Sequence, residues 1–182
     1  MSYNPLIHNR NSIRLQGFDY SSEGAYFLTI CTHHRQLLFG NIIDGQMNLN
    51  QFGKIVRDEW GKSAVIRKEI EVGAYVSMPN HMHAMVIIRR GVRPNAPTTP
   101  NDKTKGQNNF SGLQSITIGS LISGFKSTVT KQINLIRNSP GEPVWQRNYW
   151  DHIIRNDETY DRIVDYINTK PPTWNQDQLF NP

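Results

Sequence analysis

The chain has 182 residues, a formal net charge of +5 at pH 7, a pI of about 9.4 and one cysteine. This length suits one hydrophobic core, the single cysteine excludes an internal disulfide, and no apolar run approaches the ~20 residues of a transmembrane helix. The basic balance favours a polyanionic partner such as nucleic acid. Because residues 1–14 lack a continuous apolar segment, we expect no secretory signal and a cytoplasmic location.

The first half of the chain predicts a strand, a hairpin and a helix. Residues 25–32 form an apolar run typical of a strand, in which Cys31 is expected as a small buried hydrophobe. Residues 41–49 predict a short hairpin, because an Asp-Gly pair lies at their centre. Residues 51–67 have helical apolar spacing after Asn50, a favourable N-cap.

Two further strands are predicted at residues 71–78 and 83–88, joined by a Pro-Asn pair. Residues 91–112 contain three prolines among many Asn, Thr and Gly residues, so we expect a flexible loop there. The segments on either side look incomplete alone, and residues 1–182 are therefore predicted to form one domain.

The last part of the chain predicts a long helix, a strand and a closing helix. Apolar residues recur at three- and four-residue steps over residues 118–136, and residues 144–154 are typical of a strand. Asn156 is a good N-cap for the final helix, which the Pro171-Pro172 pair cannot continue. This order of elements predicts an α+β fold, an antiparallel sheet with helices packed on one face.

Two histidines, His81 and His83, are the most informative residues for chemistry. Alternate side chains of a strand share a face. If the strand at 83–88 begins as early as Asn80, both imidazoles would lie side by side while Met82 points into the core. Such a pair predicts a divalent-metal site. Spacing alone leaves open the alternative that the histidines only satisfy hydrogen bonds near a strand end.

Basic residues are dispersed along the chain rather than collected in a run, and aromatic residues lie near several of them. This distribution favours a folded binding surface over a basic tail. The candidate nucleic-acid contacts are Arg10, Arg14, Arg35, Lys126, Arg147, Arg155, Arg162 and Lys170.

Four segments resemble one family in the expected order. They are VSMPNHMHAMVII at residues 76–88, AYFLTICTHHRQLLFG at 25–40, FKS at 125–127 and WQRNYWDHIIRNDETYDRIVDYI at 145–167. Together they resemble the histidine-hydrophobic-histidine (HUH) single-tyrosine transposases, above all the group related to REP-associated tyrosine transposases.

This resemblance implies a ferredoxin-like or RRM-like sheet and a catalytic tyrosine in the "DYI" segment of the last helix, here Tyr166. Tyr160 is the competing tyrosine on the same helix, and Tyr166 itself could instead close the edge of the core. His81 and His83 would hold Mg²⁺ or Mn²⁺, and the tyrosine would attack a phosphodiester to leave a 5′-phosphotyrosine linkage and a 3′-OH. The implied partner is single-stranded DNA with a hairpin, such as a REP-like element.

The sequence departs from the family pattern at Lys170. Relatives have a metal ligand, an Asn before Pro, at this position one turn after the tyrosine. A protonated lysine cannot bind a cation, so either another group or water completes the metal shell, or the protein binds metal weakly. Lys170 itself either supplies charge to the phosphate or the phenolate, or is a defect that weakens metal binding. Asn168 lies too far round the helix to replace it. His152, near the end of the penultimate strand, either faces the site or is an ordinary structural histidine.

Three functions remain open from the sequence. The first is a metal-dependent single-strand DNA endonuclease and strand transferase that cuts beside hairpins. The second is a catalytically weak or inactive module that binds structured DNA or RNA. The third, a metal-dependent hydrolase without a covalent step, ranks last because no carboxylate is evident near the histidines. Both a monomer and a homodimer are compatible with the sequence.

Overall fold

The computed structural model of the protein describes residues 23–89 and 117–180. The predicted loop at 91–112, Arg10 and Arg14 lie outside these residues. The described elements are β1 (Gly24–Cys31), β2 (Gly40–Ile43), β3 (Gln46–Leu49), α1 (Gln51–Ile66), β4 (Ile70–Met78), β5 (His81–Ile88), α2 (Ile118–Ile136), β6 (Trp150–Ile154) and α3 (Asp157–Asn168).

A four-stranded antiparallel sheet with the order β4-β5-β1-β6 forms the centre of the fold, and β2 and β3 form a separate hairpin. Within the main sheet, Thr29 of β1 lies opposite both His83 of β5 and Trp150 of β6. These three residues therefore share one face of the sheet. The α+β class predicted from the sequence is confirmed.

Helices α1 and α2 cover one face of the sheet. Alternation along β1 buries Tyr26, Leu28 and Ile30 completely on this face, where they join one core with Trp60 of α1 and Phe125 of α2. The last two rings lie 5.1 Å apart in an edge-on contact. Each large apolar side chain buried in this way contributes roughly 1.5–3 kcal/mol, so this layer is the main source of stability.

Helix α3 packs on the opposite face, whereas the sequence predicted helices on one face. Its apolar stripe, which includes Tyr160 and Ile167, contacts Phe27 and Met85. The physical reason is that the β1 and β5 side chains on this second face are also apolar at their centre, so that both faces of the sheet need covering. Toward the ends of the same strands lie the two histidines, which consequently face the α3 side.

Most predicted boundaries agree with the structure. Asn50 caps α1 by accepting hydrogen bonds from the backbone N–H groups of Phe52 and Gly53, and Asn156 caps α3 by accepting one from Thr159. Among the described residues, no helix is long and apolar enough to cross a bilayer.

One predicted strand is shorter than expected. The sequence predicts a strand over 144–154, but β6 begins only at Trp150. Lys126 of α2 donates hydrogen bonds to the backbone carbonyls of Gln146, at 2.9 Å, and Asn148, at 3.0 Å. The Lys126 side chain thus takes the place of a strand partner for these two carbonyls. The residues before Trp150 consequently follow an irregular path to β6.

Candidate metal centre

The two histidines lie together at the start of β5, as strand alternation predicts. His81 is fully buried and His83 is 3% exposed. Their Nε2 atoms are 3.1 Å apart. Buried imidazoles that face each other at this distance require either a shared proton or a shared ion.

The opposite nitrogen of each ring is held by a neighbouring side chain. The Nδ1 atom of His81 lies 2.7 Å from the amide oxygen of Asn80, and the amide nitrogen of Asn80 donates to the Leu179 carbonyl at 2.8 Å. Because the amide oxygen only accepts, His81 carries its proton on Nδ1 and keeps the lone pair of Nε2 directed at His83. The Nδ1 atom of His83 lies 2.9 Å from the Thr29 hydroxyl. Such outer partners fix the orientation of metal-binding histidines.

A carboxylate completes the group, contrary to the expectation that none lies near the histidines. Asp177 follows a short 3-10 helix at Pro171–Gln176, and its Oδ2 atom lies 3.6 Å from Nε2 of His81. Three potential ligand atoms lie within 4.8 Å of one another, one each from His81, His83 and Asp177. This oxygen is buried and accepts no hydrogen bond from the described residues, although the Lys170 ammonium is 3.1 Å away. No motif spacing relates Asp177 to the histidines, so this ligand candidate could not be predicted from a sequence pattern.

The donor set fits a divalent ion. Two imidazole nitrogens and a carboxylate oxygen are ligands that first-row divalent metals accept, and carboxylates also suit Mg²⁺ and Mn²⁺. Two nitrogen ligands about 2.1 Å from one ion and near a right angle to each other are about 3.0 Å apart. The observed 3.1 Å between Nε2 of His81 and Nε2 of His83 matches this separation.

The electrostatics keep both imidazoles neutral. Burial, followed by the positive charges of Lys170 and Arg35, lowers the pKa of His81 from 6.5 to about 3. Burial, followed by the neighbouring His81 and Lys170, lowers the pKa of His83 from 6.5 to about 2. Both imidazoles are therefore neutral at neutral pH, which is the charge state in which histidine binds a metal.

The same pKa shifts predict a loss of stability in mild acid. Below pH 6.5 the unfolded chain binds protons at His81 and His83 whereas the folded chain does not, so stability falls as the pH is lowered. At pH 5 the free energy of unfolding should be smaller than at pH 7 by ~2 kcal/mol per histidine. Urea unfolding of metal-free protein at both pH values measures this difference. The variant with His81→Gln and His83→Gln together should lose most of it, and an unchanged pH dependence in that variant would contradict the assignment.

Tyr166 reaches the histidine pair and Tyr160 does not. The hydroxyl of Tyr166 lies 3.2 Å from Nε2 of His83, and its side chain is 40% exposed. Tyr160 instead packs against the apolar cluster of Phe27 and Met85. Of the two tyrosines on α3, only Tyr166 combines access to solvent with contact to the metal-ligand candidates.

Lys170 is a buried counterion rather than a surface cation. It follows the end of α3, is 7% exposed, and places its ammonium 3.1 Å from Oδ2 of Asp177 and 4.4 Å from the centre of the Tyr166 ring. Position 170, where the resembling family has a metal ligand, thus holds here a lysine that pairs with the carboxylate of Asp177. The carboxylate offsets the positive charge that would otherwise repel a cation.

A cleft of about 630 Å³ opens beside these residues. Its walls include His83, Tyr166 and Trp150 of the edge strand β6. Cys31 also lines the cleft and is half-buried, whereas the sequence predicted a core position. Burial raises the pKa of its thiol, so it is not primed for nucleophilic attack.

The predicted nucleic-acid contacts divide into two groups. Lys126 is half-buried, with its ammonium bound to backbone carbonyls, and burial lowers its pKa to about 8, so like Lys170 it is not a free surface cation. The second group is exposed and consists of Arg35, Arg147, Arg155 and Arg162.

His152 does not join the metal-ligand candidates. It is exposed on β6, and its ring is stacked with that of Trp150, with 5.9 Å between centres and 3° between planes. His152 lies opposite Phe27, two residues before Thr29, so it is on the same face of the sheet as His83, and its role at the site stays a prediction.

Comparison with known proteins gives a relative along the whole chain and solved structures with a similar fold. An uncharacterized protein of Haemophilus influenzae (strain ATCC 51907 / DSM 11121 / KW20 / Rd) is 40% identical over 180 residues, which cover 98% of this chain and 97% of that protein. The solved structure of a REP-associated tyrosine transposase bound to a REP hairpin covers 87% of this chain and 73% of that chain, with a TM-score of 0.54 and 22% identity. This likeness establishes a shared fold. No protein-family model matches the chain.

Proposed function

This chain belongs to the same protein family as the Haemophilus influenzae protein, and we propose that it is a metal-dependent, single-strand DNA endonuclease and strand transferase. In this proposal Tyr166 is the nucleophile, and His81, His83 and Asp177 hold Mg²⁺ or Mn²⁺. Residues 1–182 act as one domain. The substrate is single-stranded DNA beside a hairpin, by analogy with the transposase that shares the fold.

One observation carries the proposal: the hydroxyl of a partly exposed tyrosine lies 3.2 Å from a buried histidine pair that a carboxylate completes. A structural tyrosine at the edge of a core needs no such group beside its hydroxyl. A nucleophile for phosphoryl transfer does, because the phosphodiester is anionic and must be oriented and partly neutralised before attack.

The chain supplies definite parts of the reaction. A divalent ion, when bound, would withdraw negative charge from the scissile phosphate. The Tyr166 oxygen forms a bond to phosphorus as the bond to the 3′ oxygen breaks. The phenol proton is lost to solvent and the departing oxygen gains one, which leaves a 5′-phosphotyrosine linkage and a free 3′-OH. One phosphoester bond replaces another, so the step is reversible and allows strand transfer without ATP.

Exposed arginines would bind the rest of the DNA. Arg35, Arg147, Arg155 and Arg162 are available for phosphate contacts, and their binding should weaken as salt concentration rises.

A second candidate function is a binding module without cleavage. The ion pair between Lys170 and Asp177 favours it, because this contact must loosen before the carboxylate can bind an ion.

A covalent adduct separates the two functions. We would incubate the protein with a library of DNA hairpins that carry single-stranded flanks, in Mn²⁺ or Mg²⁺, and examine the products on a denaturing gel. The endonuclease predicts a protein–DNA band that disappears in excess EDTA. Binding in native gels with no adduct under any of these conditions would favour the binding module.

The Lys170–Asp177 pair gives a prediction about stability that is independent of cleavage. Lys170→Ala leaves a buried carboxylate without its counterion, so the metal-free variant should be less stable by ~3 kcal/mol. Saturating Mn²⁺ should recover most of this loss, because the ion replaces the ammonium as the partner of Asp177. Chemical unfolding with and without Mn²⁺ measures both values.

The matched control for this prediction carries Lys170→Ala together with Asp177→Asn. Without the carboxylate charge, the double variant should show a smaller loss in the metal-free state and a smaller gain from Mn²⁺. Equal recovery in the single and double variants would show that Asp177 does not bind the ion.

A further inference from the structure

The exposed indole of Trp150 has no part in the chemistry described so far. We propose that it stacks on a nucleobase of the single strand, next to the phosphate that Tyr166 attacks. This inference rests on the proposed function, since it names how the same cleft holds the DNA that is cut.

The position of Trp150 places it beside the reacting groups. It lies opposite Thr29, which lies opposite His83, so Trp150 is on the histidine face of the sheet. Its ring meets the edge of Phe27 at 5.8 Å, and Phe27 meets the ring of Tyr166 at 6.0 Å. Trp150 and Tyr166 thus flank one phenylalanine. A base stacked on Trp150 would therefore belong to the nucleotide that Tyr166 attacks or to its neighbour.

The exposure of Trp150 is unusual within this chain. Its side chain is 45% exposed, whereas Trp60, Trp145 and Trp174 are buried. Helix α3 contacts β4, at the far edge of the same sheet, whereas Trp150 lies on β6 at the opposite edge and lines the cleft. The parallel ring of His152 supports the indole plane. An aromatic ring held in this way loses little conformational entropy when a base stacks on it.

The surroundings of Trp150 match the chemistry of an unpaired nucleotide. Asn148, Gln176 and Gln178 also line the cleft, and residues of this type carry amide donors and acceptors suited to the edge of a base. An aromatic face together with such amides is the combination with which proteins hold single-stranded nucleic acid. A protein partner would instead be expected to meet a broader apolar patch.

Removal of single bases tests the proposal. In the Tyr166→Phe background, which we expect to bind without cleaving, we would take the tightest-binding oligonucleotide of a hairpin library. Each flanking nucleotide would then be replaced in turn by an abasic one. One position should weaken binding about 5- to 150-fold, which is the contribution of stacking one base on an aromatic side chain. In Trp150→Ala the same abasic replacement should change the affinity by less than about twofold, because the stacking partner is already absent.

Two further variants guard against misinterpretation. Trp150→Phe keeps an aromatic face and should retain most of the abasic effect. Tyr75→Ala removes an exposed aromatic residue of β4 that does not line the cleft, and should leave the affinity and the abasic effect unchanged.

The outcomes separate this inference from the proposed function. If the abasic effect has the same size with and without the Trp150→Ala change in the Tyr166→Phe background, the stacking role is overturned, even if the wild-type protein forms a covalent adduct. A Trp150-dependent abasic effect supports the stacking role, even if no adduct forms. Failure of every oligonucleotide to bind overturns both.

Discussion

Replacement of Tyr166 by phenylalanine should abolish the covalent protein–DNA adduct, with a loss of about 10³-fold or more in the rate of its formation. The change removes one oxygen atom, the one that lies 3.2 Å from Nε2 of His83, and keeps the ring that contacts Phe27. Folding and DNA affinity should therefore stay close to those of the wild type. The rate is measured by quantifying the shifted band on a denaturing gel.

Tyr160→Phe is the matched control, because it removes the same atom from the same helix. Tyr160 packs against the apolar cluster rather than the histidines, so this variant should form the adduct at close to the wild-type rate. If Tyr160→Phe lost the adduct and Tyr166→Phe kept it, the nucleophile would be assigned to the wrong residue.

His81→Ala and His83→Ala should each remove cleavage and lower the affinity for Mn²⁺ at least about 10-fold. Each change deletes one of the two imidazole nitrogens that face each other at 3.1 Å. The remaining donors cannot hold an ion as firmly, and metal affinity depends steeply on the number of ligands and on their outer partners. Isothermal titration with Mn²⁺ gives the affinity, and circular dichroism checks that each variant is folded.

A graded control is available for the histidine variants. Thr29→Val removes the hydroxyl that orients His83 and leaves both imidazoles in place, so its effect on Mn²⁺ affinity should have the same direction and be smaller. Undiminished cleavage by the wild-type protein in excess EDTA would contradict the metal role altogether.

Local patterns predicted the elements and half of the site. The shared face of His81 and His83 follows from strand alternation, since residues two apart must point the same way. The helix α3 and its Asn156 cap followed from periodicity and composition. The choice between Tyr160 and Tyr166 came from a family resemblance, and the geometry agrees with Tyr166 at the histidines.

The remaining features depend on contacts between distant parts of the chain. Asp177 reaches the histidines only because the segment after α3 turns back across the end of the sheet, and no periodicity encodes that path. Lys170 is a counterion rather than a free cation for the same reason, because the path of this segment brings the Asp177 carboxylate to its ammonium. The late start of β6 likewise depends on Lys126, whose ammonium binds carbonyls twenty or more residues away.

The proposed cleavage mechanism depends most on the identity of the residue that carries the DNA. The direct measurement is mass spectrometry of the adduct after exhaustive nuclease digestion and proteolysis, which finds the peptide that retains a nucleotide. We expect a single nucleotide 5′-phosphate on Tyr166. A nucleotide on any other residue, or cleaved DNA with no modified peptide, would contradict the account.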